Sequence, residues 1–140
     1  MTDELIRKRL AFWFTLHFCA DTAIALPLMI LPIPFLTLLG WETPDPAASR
    51  LVAAALLGIG IESLLGRKAD LETFRAMLNL KLIWSLGAVT GLGITLLEGW
   101  RDFGGIRPSL AVITAVFAAF HLLWLFWRIQ VGKSSHRSVM

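Results

Sequence analysis

RLVAAALLGIGIESLLGRKADLETFRAMLNLKLIWS, residues Arg50 to Ser85, reads as most of one membrane-spanning helix, a short basic turn, and the start of the next. It places Glu62 and Lys81 inside apolar runs. The turn, Arg67-Lys68-Ala69-Asp70-Leu71-Glu72, is the most densely charged part of this stretch, and Asp70 within it is a candidate cap for the helix that follows.

Outward from this stretch the pattern repeats. The chain has 140 residues, 56% hydrophobic and 16% charged, with a mean hydropathy of +0.70. Crossing about 30 Å of hydrocarbon takes roughly 20 apolar residues in a helix. Four runs meet that length, at 10–31, 47–66, 73–97 and 108–129, and little is left for a soluble domain. The expected fold is therefore all-α: one transmembrane domain over residues 1–140, a four-helix up-down-up-down bundle.

The connecting segments support these spans. Pro27 falls late in the first run, and Pro32 and Pro34 end it. Phe35 to Trp41 is apolar but too short to span, which suits a segment lying at the interface. Asp45-Pro46 is a good helix start, with the acid at the cap and proline in the first turn. Glu98 to Arg107 reads as a glycine-containing loop, Pro108 as the next helix start, and Gly132 to Met140 as a polar tail.

The net charge of +3 does not indicate nucleic acid, because the basic residues flank apolar runs and form no single patch. Ten lysines and arginines lie at the N-terminus, the central turn with the start of the third helix, and the C-terminal end, against Arg50, Arg101 and Arg107 on the other side. That bias predicts a multi-pass protein of the cell (inner) membrane with both termini cytoplasmic. Trp13, Trp124 and Trp127 are then expected in an inner aromatic belt, and Trp41 and Trp100 in an outer one. Arg50 is expected as an interfacial anchor. Cys19 is the only cysteine, so no intramolecular disulfide exists, and its expected role is packing.

Five ionisable residues fall within the spans: His17, Asp21, Glu62, Lys81 and His121. At 1.5 Å per residue from the nearest cytoplasmic cation, Glu62 lies ~7 Å deep, Lys81 ~9 Å, His121 ~10 Å, His17 ~12 Å and Asp21 ~18 Å. Such groups tend to face protein and find partners, which predicts a polar pocket open to the cytoplasmic side. Within it, a structural Glu62–Lys81 bridge and a His17–Asp21 pair at i, i+4 spacing are expected, the latter as a satisfied pair or a proton-relay element. Lys81 has the alternative of snorkelling to the headgroups. Asn79 reads as an interhelical hydrogen-bonding group.

Small residues predict the packing faces: Ala54 with Gly58, Gly87 with Gly91, and Ala111, Ala115 and Ala119. No nucleotide-binding, nucleophile-elbow or zinc-protease motif is present. No cofactor is required and no metal site is expected; His17 and His121 are a weak candidate pair for haem. The expected function is a non-enzymatic binding or accessory subunit, in a homo-oligomer or larger membrane complex, with the lipid bilayer as its surroundings. The alternatives are a small-ligand or proton-handling protein and a haem-binding electron carrier.

Overall fold

The computed structural model describes residues 2–102 and 108–137, with the side chains of 100–102 and 135–137 outside that description. Among the described residues every regular element is helical. The helices are α1 (Asp3–Ile30), α2 (Pro32–Leu38), α3 (Pro46–Leu65), α4 (Leu71–Asp102) and α5 (Pro108–Arg137), with a 3₁₀ turn at Gly66–Lys68. Four of them are long and apolar enough to cross a membrane. The chain divides into two compact units, Met1–Thr73 and Phe74–Met140.

Local chemistry sets the helix ends. Thr2 caps α1 by accepting from the Leu5 amide, a cap that was not anticipated. At α3, Asp45 Oδ1 accepts from the amides of Ala47 (2.8 Å) and Ala48 (3.1 Å), with Pro46 in the first turn as expected. Asp70 Oδ1 accepts from the Thr73 amide at 2.8 Å, so the foreseen cap of α4 is in place. That bond, with help from nearby Arg7, holds the Asp70 carboxyl below the usual carboxylate range. Pro32–Leu38 forms the seven-residue α2, which takes in the first part of the expected interfacial segment Phe35–Trp41; Gly40, two residues past its end, has φ of 90°. Only glycine adopts that backbone readily, and it reverses the chain toward α3.

Two helix ends differ from expectation. Residues 98–102 continue α4, so the expected loop is shortened to 103–107, which lies outside the described residues. Residues 132–137 continue α5, although the sequence there is polar. A helix already paid for by its apolar turns extends into water at one bond per added residue, so polarity alone does not stop it.

In the first unit α1 and α3 pack antiparallel. Asp21 lies against Gly60, and Arg50 Nε donates to the Met29 carbonyl at 3.2 Å. The buried stripe of α1 is Ile6, Leu10, Phe14, His17, Asp21, Ala25 and Leu28, at helical spacing. Opposite it, α3 buries Ser49, Ala53, Leu56, Gly60 and Ser63. Ala54 and Gly58, the expected packing pair, are exposed instead. A Cβ added at Gly60 would sit 3.0 Å from Asp21 Cβ, whereas one at Gly58 would meet nothing within 4 Å. The close-approach glycine of this pair is thus Gly60, two residues and about 200° around the helix from Gly58.

In the second unit α4 and α5 also run antiparallel, with Asn79, Lys81 and Ser85 meeting Arg128, Trp124 and His121 in reverse order. Gly87 and Gly91 are exposed, with nothing within 4 Å of an added Cβ, and Ala115 and Ala119 are exposed while Ala111 is half-buried. These expected packing residues do not form the α4–α5 contact, whose close rungs are made by large and polar side chains. Trp124 and Trp127 are buried, which corrects their assignment to an aromatic belt, and Cys19 is exposed, which corrects its assignment to packing.

Candidate functional site

The ionisable residues of the spans fall into one cluster in each unit, with Glu62 outside both.

In the first unit, His17 and Asp21 stand one turn apart on α1, both more than nine-tenths buried. His17 Nδ1 lies 2.9 Å from Asp21 Oδ2. The two atoms are close, but Oδ2 is buried and accepts no hydrogen bond with good geometry. The neighbouring Thr22 Oγ1 is also buried without a hydrogen-bond partner. Unpaired buried oxygens are costly and uncommon in folded proteins, so their position marks the place on α1 most in need of explanation. Gly60 brings α3 close here, its added Cβ falling 3.3 Å from Oδ2. The buried hydroxyl of Ser63, one turn along α3, donates to the Ile59 carbonyl at 2.6 Å and so burdens the interface with no free donor.

The second cluster runs along the α4–α5 contact as three polar rungs. Arg128 Nε donates to Asn79 Oδ1 at 2.6 Å, the interhelical role expected of Asn79. Lys81 is buried, with Nζ 5.1 Å from the Trp124 ring centroid, and Phe120 stacks on the same ring at 5.7 Å. A cation over an indole face is stabilised by the ring quadrupole, more so away from water. Ser85 Oγ and His121 Nδ1 are 2.9 Å apart, and the serine hydroxyl also reaches the Leu82 carbonyl. The orientation of that Ser85–His121 bond depends on which ring nitrogen carries the proton. Trp127 Nε1 is buried and has no acceptor.

Glu62 is exposed on α3; its carbonyl accepts from the Gly66 amide, and among the described residues no hydrogen bond or ion pair engages its carboxylate. The nearest cation in sequence, Arg67, turns its Nη1 back onto the Leu64 carbonyl. Glu62 stands on the side of α3 away from α1, with Gly58 and Ala54.

Gly60, Ser63 and Thr22 are not singled out by the sequence reading. The signal for the first two was present: Ser49, Ala53, Leu56, Gly60 and Ser63 follow a 4-3-4-3 spacing that matches a packing seam. Among the described residues no group of three metal-ligating side chains comes together. Comparison with protein-family models, curated proteins and solved structures finds no match.

Proposed function

We propose that this chain is a small accessory subunit of a membrane assembly. In this reading the four long helices form one up-down-up-down transmembrane bundle in the cell (inner) membrane, with both termini cytoplasmic. The excess of lysine and arginine at the helix ends assigned to that side supports the orientation.

One observation carries the assembly reading. Gly58, Gly87 and Gly91 lie on exposed helix faces where an added Cβ would meet nothing within 4 Å. Glycine in a helix contributes nothing toward lipid that alanine or leucine would not. Against another helix it permits close backbone approach and van der Waals contact, the main source of association in a bilayer. Such positions left uncovered by the chain are suited to copies or partners. Native mass spectrometry of the protein released gently from its own membranes tests this. A larger assembly that is weakened by Gly87→Leu or Gly91→Leu supports the reading; a monomer that cross-linking in intact membranes also finds alone overturns it.

A second reading, a proton-handling or small-ligand protein, is favoured by the unpaired buried oxygens of Asp21 and Thr22 beside His17. In the first unit it would draw on His17, Asp21 and Thr22. Proton flux into liposomes, compared between the natural protein and Asp21→Asn, tests it. A haem held by His17 and His121 is a third reading, with only the two histidines behind it.

A further inference from the structure

The α4–α5 hairpin has a basic end with no acid to match it. From Phe74 to Leu97 on α4, and along the whole of α5, there is no aspartate or glutamate. Where α5 finishes beside the start of α4, the hairpin carries Arg75, Arg128 and Lys133. Glu98, the next acid along α4, stands ~28 Å up the helix from Asn79.

Arg128 is the best fixed of these cations. Its Nε donates to Asn79 Oδ1 at 2.6 Å, so one edge of the guanidinium is held by α4. Among the described residues its Nη1 and Nη2 donors make no hydrogen bond. Gly132, one turn further along α5, leaves the space beside them open: an added Cβ there would lie 3.5 Å from Nη1 and meet nothing else within 4 Å. Arg75 stands one turn before Asn79, and the antiparallel register that joins Asn79 to Arg128 brings it to the level of Gly132. Two parallel guanidinium donors, a gap floored by glycine and a second arginine are suited to a phosphate.

The acids of the first unit do not alter this balance, wherever that unit packs. Asp3 and Glu4 each precede a cation, Arg7 and Lys8, by one turn of α1, Asp70 is held low in part by Arg7, and Glu72 precedes Arg75 by one turn of α4. Glu62 can answer one cation at most, against Arg9, Lys68, Arg128 and Lys133. The remaining counter-charge has to come from outside the chain.

We infer that this end of the α4–α5 hairpin binds the phosphate of an anionic phospholipid, with Arg128 as the binding group and Asn79 as its positioning residue. The inference rests on the four long helices being membrane spans and stands apart from the assembly reading. Arg128 closes the apolar run of α5, which puts it at headgroup level, where lipid phosphates are concentrated.

Native mass spectrometry of the full chain, released from liposomes of equimolar phosphatidylcholine and phosphatidylglycerol, tests this. The natural protein should retain phosphatidylglycerol in preference, by roughly fivefold for each cation engaged, and Arg128→Gln should lower the preference about fivefold. Two variants keep every charge: Asn79→Leu frees the guanidinium from α4, and Gly132→Leu fills the space beside Nη1. Both should weaken the preference, and they decide the matter if circular dichroism shows Arg128→Gln misfolded. Lys133→Gln removes a charge about 140° round α5 from Arg128 and should weaken it less. Equal retention of the two lipids overturns the inference. So does an equal loss in Arg128→Gln and Lys133→Gln, the mark of diffuse surface charge. Displacement of the lipid by excess inorganic phosphate overturns it in favour of a free anion. A preference that rises in Glu62→Gln overturns it as well, because Glu62 would then be answering Arg128. A chain that flotation shows outside the liposomes overturns the membrane reading together with this inference, whereas an inserted chain without lipid preference overturns the inference alone.

Discussion

Gly60 and Gly58 are chemically identical, two positions apart on one helix, and should respond oppositely to the same substitution. In Gly60→Ala the new methyl would lie 3.0 Å from Asp21 Cβ and 3.3 Å from its Oδ2. Comfortable contact between carbons is about 3.5–4.0 Å, so α1 and α3 must separate by roughly 0.5–1 Å. The obstructing atom is a Cβ fixed to the α1 backbone, so no flexible side-chain end can yield. Overpacking of this kind costs about 1–3 kcal/mol. Alanine also favours helix over glycine by up to about 1 kcal/mol, which offsets part of the loss. Gly58→Ala receives the same benefit with nothing within 4 Å to oppose it. The two variants should therefore differ by about 1–3 kcal/mol, with Gly60→Ala the less stable. Equilibrium unfolding in mixed detergent micelles, followed by circular dichroism, measures the difference. If Gly58→Ala proves as damaging as Gly60→Ala, the assignment of the α1-facing side of α3 is wrong.

Removing Ser85 and His121 singly and together, as Ser85→Ala and His121→Phe, should yield a coupling energy of about 0.6 kcal/mol, up to about 1.7, as for other interhelical hydrogen bonds in membranes. Asp45→Ala should cost about 1 kcal/mol through the lost α3 cap, and Asp45→Asn should recover most of it, both measurable in the same unfolding assay. Because the Asp70 carboxyl is held below its ordinary range, its cap on α4 contributes fully above that range. The contribution is lost only as pH falls through the lowered value. Hydrogen exchange at the Thr73 amide should show this acid-side loss, and Asp70→Asn should abolish the pH dependence while keeping the cap.

The helices were legible because each span is long and bounded by charge or proline, and because Asp45 and Asp70 announce their caps within three residues of the bonds they make. The facing of those helices was much less so. In a membrane span nearly every face is apolar, so hydrophobic periodicity no longer separates inside from outside. That is why the Ala54–Gly58 spacing looked as good as the Ser49–Ala53–Gly60–Ser63 seam, although only the latter meets α1. The tryptophans misled for a related reason. An indole near a span end suits both the headgroup layer and a protein interior, and Trp124 is claimed by Lys81 and Phe120. His17–Asp21 and Asn79 were readable because polar groups in a span have few tolerable places to go. For Glu62 the same logic says that such a group needs a partner but not where that partner stands.

The helices are unequal in length. With 28, 32 and 30 residues, α1, α4 and α5 run to more than about 40 Å, while the 20 residues of α3 reach only about 30 Å. A bilayer that thickens can be met by the longer three with turns already at hand. It can be met by α3 only by drawing the Asp45 cap or the Arg67–Lys68 turn toward hydrocarbon. In a bilayer, hydrophobic mismatch would therefore fall first on one helix: lipids with longer acyl chains should strain α3 before α1, α4 or α5.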